Sequence, residues 1–230
     1  MLVDLLLSYR AVSAWTEMTR VAARFPDPLG RTPLVQEQLA FGLNRARRGE
    51  EAERVLLDLI ETRGPSSETY GLLGRVYKDR WDAACAAGET MLARGLLGKA
   101  IDAYLKGFES DWRDAYPGIN AVTLMTLRIP PDPRAAHLVP VVRYAVERKI
   151  ASGKPDYWDY ATLLELAVLA KDEAAAMDAL AQAFGAMRER WEPETTARYL
   201  QLIRAARAAR AEAPAWANDI ETELKRKAQG

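Results

Sequence analysis

Apolar residues recur three and four positions apart through most of this 230-residue chain, and charged residues lie between them. That spacing places the apolar side chains on one face of a helix. Glycine and proline fall between the periodic segments, and the alternating β-branched runs that form strands are absent. The pattern therefore predicts an all-α protein of about ten antiparallel helices.

One internal repeat is visible in this pattern. The segment "LVQEQLAFGLNRARRGEEAERVLLDLIETRGP" aligns with "SETYGLLGRVYKDRW" at a step of 34 residues, which pairs Ala40 with Gly74 and Leu43 with Tyr77. A period of 34 residues is typical of tetratricopeptide repeats, which are helical hairpins that stack side by side. We therefore predict a tetratricopeptide-like α-solenoid, in which Ala40 and Gly74 let paired helices approach closely.

The repeat loses its period after Trp81. The small residue of the second helix is Ala52 in one pair and Ala100 in the next, 48 residues later, where the repeat predicts 34. We place the insertion at about 81–94 and expect it to be helical or to extend the two helices beside it. It is expected to close one end of a groove.

The domain prediction follows from these repeats. We expect a single tetratricopeptide-like domain over 1–230. Residues 1–127 hold the more regular repeats, and the proline-rich stretch "RIPPDPR" separates them from helix pairs in 134–230. The chain opens in the middle of its pattern, so it is expected to be a fragment of a longer protein.

Composition narrows the possible chemistry. Acids and bases balance at 32 each, so nothing in the overall charge predicts a nucleic-acid partner. A single cysteine, Cys85, and a single histidine, His137, argue against a disulfide, a metal site and a histidine-based catalytic site. We expect no cofactor, and we expect Cys85 to pack among its neighbouring alanines. No apolar run approaches the roughly 20 residues of a membrane span, and we expect a cytoplasmic protein without a membrane partner.

Polar groups on the first helix of each pair are the best candidates for a binding site. In a tetratricopeptide first helix, the residues one, four and five positions after the small residue point towards the groove. An anionic ligand needs the cations and amides found there. These positions are Arg75, Lys78 and Asp79 after Gly74, Tyr116, Asn120 and Thr123 in the next pair, and Phe41, Asn44 and Arg45 in the pair before.

Two simpler interpretations of these charges stay open. Most charged residues on a helix surface are solvated and contribute little. Asp79 and Arg80 could form a structural ion pair with each other. Further along, Arg204, Arg207 and Arg210 share one helix face, and we expect that face to be solvated or, failing that, to bind a partner.

The motifs "LLGRVYKDRW", "AIDAYLKGFESD" and "YPGINAVTLM" resemble the TRAFs-binding domain family, a tetratricopeptide-like group that includes the central regulatory region of the apoptosis signal-regulating kinases. The three motifs occur in order, and the resemblance is best over about residues 65–128. It implies a regulatory α-solenoid rather than an independent enzyme. It also implies roles for Lys106 and for Gly74, Tyr77, Phe108 and Gly118.

The resemblance implies two kinds of partner. In the animal kinases this region binds TRAF adaptors and sets kinase activity. Related bacterial proteins look like parts of immune or conflict systems, in which the domain is proposed to sense a nucleotide-type signal beside an effector domain. The arginine- and alanine-rich composition favours a bacterial source for this chain.

Three functional hypotheses follow. The first is a sensor that binds an anionic, nucleotide-like ligand and relays the signal to a protein partner or a fused effector. The second is a pure protein–protein interaction scaffold. The third is a nucleotide-processing enzyme that would use Asp79, Asp114 or Tyr116. We assign no catalytic residue, because no activated nucleophile and no metal-binding set is visible.

Overall fold

The computed structural model describes residues 1–229, and all regular structure in that part of the chain is helical. The all-α prediction is confirmed, and these residues form twelve α-helices where about ten were expected. No described helix combines the length and the apolar character that crossing a membrane requires. The helices are α1 Leu2–Ala11, α2 Trp15–Ala22, α3 Pro33–Arg45, α4 Gly49–Arg63, α5 Ser67–Ala86, α6 Thr90–Ser110, α7 Ala115–Leu127, α8 Arg134–Ala151, α9 Tyr157–Ala170, α10 Glu173–Ala186, α11 Trp191–Ala208 and α12 Ala217–Gln229.

The chain divides into two compact units, Met1–Asp111 and Trp112–Gly230. In the first unit α1 packs on α2, α3 on α4, and α5 on α6. In the second unit α7 packs on α8, α9 on α10, and α11 on α12. Consecutive antiparallel helices therefore form hairpins throughout, as the repeat predicts. The expectation of one domain over 1–230 stays a prediction.

The inserted residues of the first unit extend its last hairpin. Helix α5 has 20 residues and α6 has 21, whereas α3 has 13 and α4 has 15. Residues 81–94 form the end of α5, a short turn and the start of α6. The insertion therefore extends the two helices beside it, which is one of the two forms expected from the sequence. Cys85 is exposed near the end of α5 rather than packed, because the extension leaves that turn outside the helix-pair core.

Small residues form the contact between the paired helices of the first unit. Ala40, Ala52 and Ala100 have no exposed surface. Gly74 is closer still to its neighbour, because a Cβ atom built on it would lie 2.6 Å from Cγ of Tyr104, and the Tyr104 ring is itself buried. The predicted close approach at these positions is confirmed, and Gly74 has no room for a side chain.

Local signals set the helix ends. Gly64 adopts a φ of +85° directly after α4, and Pro65 follows it, so α4 stops where glycine followed by proline predicts. The Ser66 hydroxyl then accepts a hydrogen bond from the Thr69 amide and caps the start of α5. In the second unit, Asp156 caps α9 by accepting the Trp158 and Asp159 amides.

Candidate functional site

The predicted groove residues of α5 differ in how accessible they are to solvent. Arg75 is half-buried, Lys78 is only 2% exposed, and Asp79 is half-buried. The Lys78 ammonium lies 3.4 Å from a carboxylate oxygen of Asp82, one turn further along the same helix. Because its side chain is enclosed, removing Lys78 is expected to disturb packing as well as charge. A variant at Lys78 is therefore a poor test of ligand binding.

Side-chain hydrogen bonds join the first helices of successive pairs. Arg10 of α1 donates to Gln38 of α3 over 2.9 Å. The amide of Asn44 on α3 donates to Asp79 of α5 over 2.6 Å. A third bond runs from the Thr69 hydroxyl to the Glu37 carboxylate, over 2.7 Å. We call the surface formed by α1, α3 and α5 on this side the first-helix face.

The most exposed chemistry on the first-helix face surrounds Phe41. The guanidinium carbon of Arg10 lies 4.5 Å from the centre of the Phe41 ring, and that of Arg45 lies 5.3 Å from it. Both arginines are exposed, whereas Phe41 is half-buried against Trp15. The result is an aromatic ring bounded by two exposed cations, a combination suited to a partner that carries carboxylates.

Arg80 does not pair with Asp79, contrary to one of the expectations from sequence. It forms an ion pair with Glu53 of α4 and lies 3.6 Å from Glu50. Successive side chains on a helix point about 100° apart, so Asp79 and Arg80 face different neighbours. Asp79 is turned towards α3, and Arg80 towards α4.

Glu53 is the centre of an ionic cluster between α4, α5 and α6. It accepts hydrogen bonds from the Tyr77 hydroxyl over 2.8 Å and from Lys99 over 3.3 Å, in addition to Arg80. Burial raises the pKa of Glu53, but these hydrogen bonds and the Lys99 charge outweigh it, so the pKa falls below its usual value. Burial and the Glu53 carboxylate raise the pKa of Tyr77. The cluster is fully occupied by residues of the chain itself, which indicates a structural role.

Three further predicted site residues lie away from the α5 positions. Lys106 of α6 is exposed, and its ammonium lies 5.9 Å from the centre of the Tyr70 ring. Tyr116 and Asn120 belong to α7 in the second unit. Tyr116 is 42% exposed, whereas Asn120 is 7% exposed and donates its amide to the Tyr116 carbonyl over 2.8 Å. The shared anion site of these residues stays a prediction.

The arginine face of α11 is not solvated, which corrects the expectation from sequence. Arg207 is 7% exposed, and its guanidinium donates to the carbonyls of Val168 and Leu169 over 2.6 and 2.5 Å. Arg204 pairs with the buried Glu221 over 2.6 Å. Burial lowers the pKa of Arg207. The buried guanidinium thus donates to two carbonyls in the last turn of α9, of which that of Val168 also accepts the Lys171 amide over 3.1 Å.

Sequence patterns could not identify several of these residues. Arg10 and Gln38 are 28 positions apart, and the helix that holds Arg10 has only a degenerate version of the repeat. Glu53 gave no signal because it looks like any charged residue of a second helix. The one available signal for the Phe41 cluster was a phenylalanine at a position predicted to face the groove.

Comparisons with known proteins agree with this architecture. The MAP3K TRAFs-binding domain family matches residues 1–221. A thermophilic TPR protein from Thermus thermophilus superimposes with a TM-score of 0.62 at 13% identity, over 87% of this chain and 97% of that one. That likeness confirms the tetratricopeptide-like fold.

Two kinases contain a similar segment. Mitogen-activated protein kinase kinase kinase nsy-1 of Caenorhabditis elegans is 29% identical over 219 residues, which cover 86% of this chain and 14% of that protein. Mitogen-activated protein kinase kinase kinase 15 of Mus musculus is 26% identical over 215 residues, covering 88% of this chain and 16% of that protein. This chain thus spans about a sixth or less of the relatives that it matches. Because the family match extends over nearly all of its length, the chain belongs to the MAP3K TRAFs-binding domain family.

Proposed function

We propose that this chain is a protein-binding module, and that its first-helix face is the docking surface for a partner segment that carries carboxylates. The observation that supports this proposal most directly is the Phe41 ring between the exposed guanidinium groups of Arg10 and Arg45. Aromatic residues and arginine are enriched at protein interfaces, where they supply much of the binding free energy. The family and the fold, which are those of a binding domain, support the same function.

The hydrogen bonds between α1, α3 and α5 suit this role. They hold the first helices side by side, so the groups around Phe41 are fixed before a partner arrives. A preorganised surface loses less conformational entropy on binding than a mobile one. The family description makes a TRAF protein the first partner to test.

A nucleotide-like anion is the second candidate ligand, with the contacts predicted from the sequence: Arg75, Lys78, Asp79, Lys106, Tyr116 and Asn120. Two predicted donors favour a protein partner instead, because the Lys78 ammonium lies beside Asp82 and the Asn120 amide is bonded to a backbone carbonyl. Relay of a signal to an effector in a bacterial signalling or immune system stays a prediction, as does nucleotide processing.

The test compares charge-reversal variants of equal net charge. We expect a purified TRAF protein to bind the wild-type chain and to bind Arg10→Glu/Arg45→Glu at least tenfold more weakly. Arg94→Glu/Arg148→Glu is the control, because both of these arginines are exposed. Calorimetry measures the dissociation constants. Equal weakening by both variants, or no binding to the wild type, would contradict the proposed surface and partner.

A thermal-shift titration with NAD, ADP-ribose and cyclic nucleotides tests the second candidate, a nucleotide-like ligand. A nucleotide present at 100 times its Kd stabilises the folded state by about 2.7 kcal/mol. We expect no such shift. A shift that Arg75→Gln removes, while circular dichroism of that variant is unchanged, would favour the nucleotide ligand over the protein partner.

A further inference from the structure

A cleft in the first unit lies between α2 and α4, the second helices of two successive pairs. It has a volume of about 610 Å³ and is open to solvent. Both helices pack on α3, and the floor of the cleft comes from Leu39 and Leu43 of that helix, with Val55 of α4 beside them. Leu43 is buried, and Leu39 and Val55 are half-buried. The floor is therefore apolar and partly open.

This cleft is separate from the first-helix face. Residues of an α-helix advance by about 100° each, so Leu39 and Leu43 project from the opposite side of α3 to Phe41 and Arg45. A segment bound in the cleft would contact α2 and α4 without touching the Phe41 cluster. The two surfaces can be tested independently.

The rim of the cleft is strongly basic. Arg20 of α2, Arg48 at the start of α4 and Arg54 of α4 all line it, and Glu51 is the one carboxylate among the lining residues. Glu51 is already satisfied, because Arg48 donates two hydrogen bonds to it over 2.6 and 2.7 Å. Arg20 and Arg54 are exposed, and within residues 1–229 neither forms an ion pair or a side-chain hydrogen bond. With three arginines and one carboxylate, the rim thus carries a net charge of +2 above an apolar floor.

From this arrangement we propose that the cleft between α2 and α4 binds a partner helix with an apolar stripe and acidic flanks. Its apolar side chains would cover Leu39, Leu43 and Val55, and its carboxylates would pair with Arg20 and Arg54. A helix laid in an apolar groove is a recurring mode of recognition, and carboxylates form strong bidentate pairs with arginine.

The probe is a fluorescein-labelled 17-residue peptide with leucine at i, i+3, i+7 and i+10 and glutamate along both flanks. A second peptide replaces each glutamate by glutamine. Fluorescence anisotropy measures both dissociation constants on the full chain. We expect the glutamate peptide to bind at least tenfold more tightly than the glutamine peptide, and its affinity to fall as salt is raised.

Two protein variants locate the binding. Arg20→Glu/Arg54→Glu is expected to lower the affinity for the glutamate peptide at least tenfold. Arg94→Glu/Arg148→Glu changes the net charge equally and is expected to leave that affinity unchanged. Arg10→Glu/Arg45→Glu tests the first-helix face and is also expected to leave it unchanged. The proposal is overturned if the two peptides bind equally, if neither binds, or if the Arg10→Glu/Arg45→Glu variant alone loses binding. Failure of the TRAF experiment leaves these results unaffected.

Discussion

The α5–α6 contact of the first unit and the α9–α11 contact of the second hold helices together by opposite means. Between α5 and α6 the central position is Gly74, which has no side chain and lets the Tyr104 ring lie against the backbone. Between α9 and α11 the corresponding feature is one of the longest side chains, Arg207, whose guanidinium binds the end of α9. One contact requires the absence of atoms, and the other requires a buried charge with fixed partners.

The difference determines how each contact responds to substitution. A site without free space is sensitive to added volume, because protein interiors are close-packed. A site built from a buried cation and carbonyl groups is sensitive to removal, because unpaired polar groups in the interior are costly. The predictions below test this contrast from the largest expected effect to the smallest.

Adding one methyl group at Gly74 should have the largest effect. The new Cβ of Gly74→Ala would lie 2.6 Å from a buried ring carbon of Tyr104, so the helices must separate. We expect the free energy of unfolding to fall by about 2 to 3 kcal/mol. Urea unfolding followed by circular dichroism measures the change.

Gly98→Ala is the matched control, because apart from the adjacent backbone of α6 itself no described atom lies within 4 Å of a Cβ at Gly98. Alanine is the better helix former, so this variant should gain about 0.5 to 1 kcal/mol. Equal losses for both variants would show that the Gly74 contact is not the tight one.

Removing the Arg207 guanidinium should destabilise the second unit. Arg207→Met keeps most of the side-chain volume but leaves the Val168 and Leu169 carbonyls without these donors. We expect a loss of about 2 kcal/mol, with faster amide exchange at the end of α9. Arg148→Met, at an exposed position of α8, should change little. Unchanged exchange near Leu169 in the Arg207→Met variant would contradict the capping role.

Neutralising Glu53 should have a smaller effect, because the cluster is partly open to solvent. Glu53→Gln keeps the shape but weakens the pairs with Arg80 and Lys99, and we expect a loss of about 1 to 2 kcal/mol at neutral pH. Raising the salt concentration should reduce the difference in the free energy of unfolding between Glu53→Gln and the wild type. Glu61→Gln, at an exposed position of the same helix, is the control. A salt-independent difference would indicate lost packing rather than lost charge.

The smallest effect is expected at Asp132 between α7 and α8, and it depends on pH. Hydrogen bonds from Arg134 and the charge of that residue lower the pKa of Asp132 from 3.8 to about 2. A lowered pKa in the folded state means that the carboxylate stabilises the fold above about pH 4 and that this contribution disappears as the pH falls towards 2. Asp132→Asn should cost about 1 kcal/mol at pH 6.

The test for Asp132 is unfolding measured between pH 6 and pH 2. The free energy of unfolding of the wild type should approach that of Asp132→Asn across the acid part of this range. Asp178→Asn, at an exposed position of α10, should have the same free energy of unfolding as the wild type throughout. A constant difference between wild type and Asp132→Asn would show that the carboxylate charge is not responsible.

The same contrast explains how much the sequence could predict. Gly74 was identified because a small residue recurs at a fixed period, and that signal is local and independent of the partner side chain. Arg207 was assigned to solvent because arginine at every third position gives the same sequence pattern on a solvent-exposed helix face as on a buried one. Its partners are carbonyl groups 39 and 38 positions away, which no sequence pattern marks.

The candidate site shows the same division. The helical periodicity placed Asn44, Asp79 and Phe41 on one surface, where the structure has them. It could not show that Asn44 and Asp79 bind each other, because side-chain partners depend on the offset between helices. Burial of Lys78 also depended on that offset. The α2–α4 cleft gave no signal, because its arginines come from two helices of different pairs.

The extended turn after α5 also makes the protein convenient for spectroscopy. Cys85 is the sole cysteine of the chain and is exposed, so a maleimide dye or a nitroxide attaches at one known position without prior mutagenesis. Burial and the nearby Asp82 carboxylate raise the pKa of this thiol, so labelling should proceed faster at mildly alkaline pH. A cysteine on a partner peptide, labelled with a second probe, would then give a distance to Cys85. That distance differs according to whether the partner is bound beside exposed Arg20 in the cleft or beside exposed Arg45 on the first-helix face.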